Sequence, residues 1–159
     1  MKIKLLATSQ VTEAGTWAMV SPNLVGQDNI LFSVDDVLNA VFVQGNCLGP
    51  AMFYGSGAGS LPTASAVVGD VLDCAKNLHT TVKTDITAEK LTLLPVDDVE
   101  NIFFVRVKEG QDITPVFGEV EKVVVKEGEY GFCTEAMKEK DFQAKVQQCP
   151  GFIKAIRKG

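Results

Sequence analysis

Short apolar runs separated by turn residues fill the first 55 positions, the pattern of strands rather than helices. IKLLAT (3–8) and WAMVS (17–21) read as two strands joined by a turn at Glu13-Ala14-Gly15. PNLVGQDN (22–29) reads as a loop, and LFSVDD (31–36) begins a short helix. LNAVFVQ (38–44) and PAMFYG (50–55) flank GNCLG, the outline of a hairpin. Together they predict a mostly antiparallel sheet of four strands.

The period then lengthens. Pro62 suits the first turn of a helix, where its missing N–H costs nothing. Ala64, Val67, Val68, Val71, Ala75 and Leu78 recur at helical spacing, so a helix over 62–78 is predicted with one apolar stripe. HTTVKTDITAEKLTLLPVDDVE (79–100) is rich in Thr and Asp, contains Pro95, and reads as a linker.

Beyond the linker, NIFFVRVK (101–108) is a strand with apolar residues on both faces, which predicts cover on both. ITPVFGEV holds a short turn, and EKVVVKEG and EYGFCTEA are two strands around Gly128. KEKDFQAKVQQC (138–149) is a helix with Phe142, Val146 and Cys149 on one side and Glu139 and Asp141 in its first turn. Pro150-Gly151 stops it, and FIKAIRK closes as a strand. The order β-α-β-β-α-β is that of a split βαβ lobe of ferredoxin type. The fold class predicted is therefore α+β: a small antiparallel sheet plus helix, followed by a ferredoxin-like βαββαβ lobe. The division is 1–78, a linker 79–100, and 101–159.

Composition narrows the chemistry. Hydrophobic residues make up 46% of the 159 positions, enough for a packed core. A net charge of −5 lacks the basic face that nucleic acid demands. No apolar run reaches the ~18 residues of a membrane helix, and MKIKLLATSQ has no signal-peptide cleavage pattern. Cys47, Cys74, Cys133 and Cys149 are dispersed without a C-x-x-C pair, as in a cytoplasmic protein with reduced, mostly buried thiols. His79 is the single histidine, so neither a zinc set nor a His-based triad can be built. The Asp35-Asp36 and Asp97-Asp98 pairs sit in polar connections and read as solvated surface.

FYGSGAGSLPTASAVV (53–68) carries the one concentrated motif. Gly55, Gly57 and Gly59 give G-x-G-x-G, but Ser60 stands where a dinucleotide fingerprint wants its third glycine, and no second parallel strand follows. No lysine follows either, which excludes a P-loop. The residues alone are compatible with a corner packing a helix on a sheet. They are also compatible with a ligand site, since no side chain caps the helix before Pro62 and its first N–H groups stay open.

Read whole, YGSGAGSLPTASAVVGDVLD resembles the glycine loop and following helix of homoserine dehydrogenase, with G-x-GAG-x-x-PTASAV as the specific match. Ser56 stands where that family often has a bulkier residue or proline. IKLLATSQVTEAGTWAMVSPNLV and FSVDDVLNAVFVQGN resemble the strands that precede this loop. FFVRVKEGQ, the run Glu129 to Met137 and PGFIKAIRK resemble an ACT-type regulatory lobe. The resemblance covers nearly the whole chain and implies the C-terminal part of that enzyme, without its nucleotide-binding domain and catalytic residues.

Several expectations follow from the resemblance. The family reaction interconverts aspartate semialdehyde and homoserine with NAD or NADP, on the way to threonine and methionine. Gly55, Gly57, Ala58 and Gly59 would lie beside the nicotinamide end of the cofactor, and helix 62–78 would pack on the missing nucleotide-binding domain. No catalytic or metal-binding residue is assigned, and the chain by itself is expected to be inactive and to hold no cofactor. A homodimer through residues 1–55 is the expected assembly. An amino-acid effector is the ligand implied for the lobe, although KEGQDITPVFG is shorter than the usual D-x-P-G-V loop and keeps only Gly110. The alternative function is a free-standing ACT-type regulatory or protein-interaction module.

Overall fold

The elements were resolved in a computed structural model that describes residues 1–81, 83 and 86–159. Val82, Thr84 and Asp85, within the predicted linker, lie outside the described residues. In chain order the elements are β1 (Lys2–Thr12), β2 (Gly15–Val25), a 3₁₀ turn (Ile30–Ser33), β3 (Leu38–Gly45), β4 (Gly49–Ser56) and α1 (Ser60–Lys76). A second 3₁₀ turn (Val96–Asp98), β5 (Glu100–Lys108), α2 (Thr114–Phe117), β6 (Val123–Lys126) and β7 (Glu129–Cys133) follow. The last elements are β8 (Met137–Lys138), α3 (Glu139–Gln148) and β9 (Phe152–Lys158). The α+β class is as predicted.

The contacts divide the chain into two units, Met1–Asn29 with Lys90–Gly159, and Ile30–Glu89. This departs from the predicted division at 78 and 100. In the first unit β1 and β2 pair antiparallel without a break, from Lys2–Val25 to Thr12–Gly15. The predicted loop 22–29 is thus partly strand, because Pro22 to Val25 complete the ladder. The sheet runs β1-β2-β9-β5-β7-β6, and β8 pairs with the start of β5. Only two residue pairs, Asn23–Arg157 and Leu24–Lys158, join β2 to β9 in parallel. The single four-stranded sheet predicted for residues 1–55 does not form: β3 and β4 make a separate two-stranded sheet in the second unit.

Part of the predicted linker is structured. Thr16 N–H donates to Thr92 O and Leu94 N–H to Thr16 O, both at 2.9 Å, so residues 92–94 line the edge of β2. The polar composition of 79–100 concealed this, since edge pairing uses backbone groups and needs no apolar pattern.

Alternation along β5 puts Phe103, Val105 and Val107 on one face, where they are buried with Ile113, Tyr130, Phe132, Phe142 and Cys149. α2 and α3 cover that face. Phe142 of α3 stacks on Phe103 with ring centroids 3.7 Å apart. Cover on both faces was predicted, but Ile102 stays 37% exposed and Phe104 only half-buried. The opposite face is open because both helices of this unit lie on the same side of β5.

Glu139, read from sequence as a first-turn acid, is buried. Its carboxylate accepts from Arg157 Nε at 3.0 Å and pairs with the second guanidinium nitrogen at 2.9 Å. Asn101 Nδ2 adds a longer bond of 3.4 Å, and the Glu139 N–H donates to Val99 O at 3.1 Å. Three elements, β5, α3 and β9, are tied at this one carboxylate.

Candidate functional site

In the second unit, β3 and β4 align from Leu38–Ser56 to Gly45–Gly49. The tight GNCLG connection and the apolar positions on both strands produce this hairpin as predicted. β4 delivers the glycine motif at its end. Gly55 is still within the strand, opposite Asn39 of β3; Gly57 leaves it, Ala58 bends, and Gly59 is the N-cap of α1. The four candidate residues therefore lie in one exposed stretch that runs from the end of β4 to the start of a 17-residue helix.

The three glycines are glycines for different reasons. Gly59 has φ of 119°, a conformation that side-chain-bearing residues rarely adopt. Gly57 has no positive φ; a Cβ there would stand 2.7 Å from Asn39 Nδ2 and 3.2 Å from its Cγ. A valine at Gly57 thus meets the Asn39 side chain and not backbone strain. Gly55 has neither constraint: its φ is not positive, and nothing lies within 4 Å of a Cβ built on it.

The start of α1 is uncapped, as predicted: Gly59 has no side chain, and no side chain accepts a first-turn N–H. Thr63 N–H returns to Gly59 O at 3.1 Å, Pro62 has no N–H, and Ser60 and Leu61 have no acceptor inside the helix. From Gly55 to Thr63 the chain carries no ionisable side chain. This turn can bind and orient a ligand, but it cannot move a proton.

The stripe predicted on α1 is present but uncovered. Val67, Val68, Val71 and Leu72 are each more than half exposed, and no residue of the helix is buried. Such a helix in isolation is marginal, and a tertiary partner is its usual source of stability.

Other candidate chemistry is sparse. His79 is exposed, and among the described residues no group of three or more His, Cys, Asp or Glu could hold a metal ion. All four cysteines are free thiols, but only Cys149 is buried, which corrects the expectation of mostly buried thiols. Cys47 lies in the β3–β4 turn and Cys74 on the uncovered helix, positions that pattern alone does not distinguish from core. Burial pushes the Cys149 thiol above its ordinary range. Among the described residues no helix is long and apolar enough to cross a membrane.

The lobe holds an open depression of about 550 Å³ between the loop after β5 and the β6–β7 hairpin, with Gly110, Asp112, Lys122, Glu129 and Tyr130 among its lining. Tyr130 donates from its hydroxyl to Gln111 O at 3.0 Å, which anchors the loop. Hydrogen bonds from Lys126 and Arg106 hold the Glu129 carboxyl below the usual carboxylate range. The backbone N–H of Thr114 does the same for Asp112. Sequence reading singled out Gly110 here but missed Lys122, Glu129 and Tyr130, which converge only through strand pairing.

Residues 1–72 match the family model described as homoserine dehydrogenase. A homoserine dehydrogenase of Neisseria gonorrhoeae is 32% identical over 134 residues, 79% of this chain and 31% of that protein. That of Corynebacterium glutamicum is 45% identical over 80 residues, 47% of this chain and 18% of that protein. Among solved structures, a homoserine dehydrogenase from Thiobacillus denitrificans superposes with a TM-score of 0.80 at 27% identity, covering 99% of this chain and 42% of that one. An S. aureus homoserine dehydrogenase gives 0.73 at 25% identity, with the same coverage of both chains. The chain thus spans about a third of the length of the curated relatives it matches. By sequence over most of its length and by fold over nearly all of it, the chain belongs to the homoserine dehydrogenase family, as a counterpart of the C-terminal part of its members.

Proposed function

We propose that the chain serves as the C-terminal part of an NAD(P)-dependent homoserine dehydrogenase, which interconverts aspartate semialdehyde and homoserine on the way to threonine and methionine. Gly55 carries this reading. Nothing among the described residues requires glycine there, so its missing side chain leaves open space at the strand end. Gly57, Ala58 and Gly59 continue that surface into a helix start with unpaired N–H groups, which suits a polar ligand. We assign these four residues to the nicotinamide end of NADP or NAD. When bound, the nicotinamide exchanges the hydride; the turn contributes close backbone approach and orientation. Proton transfer falls to residues outside the turn, which itself offers no acid or base.

The uncovered stripe of α1 supports docking on a nucleotide-binding domain. Homodimerisation through residues 1–55 is supported by the apolar residues of the β1–β2 hairpin, where Ile3, Leu5 and Val20 are each about 70% exposed. The β5–β9 region is assigned as an ACT-type regulatory lobe, with an amino-acid effector seated in the depression beside Gly110. We place the protein in the cytoplasm.

Purified chain with homoserine and NAD(P)+ should give no reduction. Supplying the nucleotide-binding part, in cis or in trans, should restore turnover. In that complex Gly55→Val should raise the KM for the dinucleotide while leaving the melting temperature of the chain unchanged. Reduction by the chain alone, or an unaltered KM in the Gly55→Val complex, would refute the assignment.

A further inference from the structure

We propose that Asn39 is the positioning residue of the glycine turn, and that through it Asn39 sets how a dinucleotide seats against the turn. The first half stands on geometry alone; the second rests on the cofactor reading above.

Asn39 and Gly55 face each other in the β3–β4 ladder, so the Asn39 side chain projects where the chain leaves β4. It fills the space a side chain at Gly57 would take. Its Nδ2, Cγ and Cβ lie 2.7, 3.2 and 3.7 Å from the place of a Gly57 Cβ, and among the described residues, chain neighbours aside, they are the three nearest atoms. The amide is steadied from below, with Nδ2 donating to Val37 O at 3.4 Å. Gly57 has no positive φ, so the Asn39 amide is what a side chain at that position would meet. Asn39 therefore acts as a spacer between β3 and the turn. A smaller residue lets the turn sink, and a larger one pushes it outward.

The contact also explains why β3 carries a polar residue within LNAVFVQ, where every neighbour from Leu38 to Val43 is apolar. Asn39 is exposed, so burial of its amide is not the reason. An amide is short, flat and able to bond the strand's own carbonyl, which suits a spacer packed under a bend.

A double-mutant cycle on the 159-residue chain tests the first half. Gly57→Val should lower the melting temperature when Asn39 is present and much less in the Asn39→Ala background; equal losses in both backgrounds overturn the proposal. The second half is tested in the complex with the nucleotide-binding part. Asn39→Ala should raise the dinucleotide KM roughly 10- to 100-fold, with kcat at saturation falling far less. Asn39→Asp keeps the shape but cannot donate to Val37 O, so its KM should rise less than that of Asn39→Ala. Coupling in the cycle with an unchanged KM in Asn39→Ala would refute the link to the dinucleotide while leaving Asn39 as the spacer. A Gly55→Val complex that also kept its KM would show the failure to lie in the cofactor reading itself.

Discussion

Removal of the Glu139 carboxylate should cost the first unit more than any surface charge does. In Glu139→Ala the Arg157 guanidinium keeps its place between α3 and β9 but loses two close bonds, at 3.0 and 2.9 Å. Exposed ion pairs contribute about 0–1 kcal/mol, and breaking a fully buried pair costs about 3–5 kcal/mol. With side chains 8% and 22% exposed, this pair lies between those limits, nearer the buried one. A coupling of about 2–3 kcal/mol between Glu139 and Arg157 is therefore expected. Chemical denaturation of the parent chain, Glu139→Ala, Arg157→Ala and the double variant measures it, followed by circular dichroism. Glu139→Ala should lose more than the double variant loses relative to Arg157→Ala, because the second substitution removes the stranded charge. A coupling below about 0.5 kcal/mol would mean that water screens the pair as on a surface, and the reasoning from burial would fail.

Two further outcomes are expected. Thermal stability should fall on acidification: Glu129, Asp98 and Asp112 have carboxyls held below their ordinary values, so their contribution is full above the ordinary carboxylate range and disappears as pH drops through the lowered values. Lys140, raised by its bond to Asp98, loses its share only as pH rises through its own elevated value, so a melting curve with no acid-side decline would contradict these assignments. The chain should also sediment as a dimer at micromolar concentration, and Leu5→Lys on the open face of the hairpin should weaken it; a monomeric parent chain would exclude the residue 1–55 interface.

Local elements were largely legible in the sequence because their signals are local. The Pro62 start and apolar spacing outlined α1 within two residues of its observed ends, and Gly128 marked the turn between β6 and β7. Long-range pairing was not legible. Nothing in WAMVS or FIKAIRK announces that β2 and β9 would touch, since strand partnership is decided by backbone geometry after folding. The same holds for Glu139: helix position predicts an acid near the N-terminus, and only the arrival of Arg157 turns it into a buried anchor. At the glycine turn the motif was visible, but the separate reasons for Gly55, Gly57 and Gly59 were not. Those depend on φ and on a side chain from another strand, Asn39.

The narrow suture between β2 and β9 bears on how the chain is made. Asn23 and Leu24 meet Arg157 and Lys158 across most of the 159 residues, with Gly159 N–H donating to Leu24 O at 3.1 Å. Closing so long a loop is entropically slow, whereas the β1–β2 and β3–β4 hairpins close over a few residues. During synthesis both hairpins and α1 emerge before β9 exists. The first unit therefore waits with its N-terminal hairpin unattached while the whole of Ile30–Glu89 passes through the ribosome. Ile3, Leu5 and Val20 of that hairpin stay exposed even after β9 arrives, so the final strand fixes the hairpin's place in the sheet and leaves its apolar face uncovered.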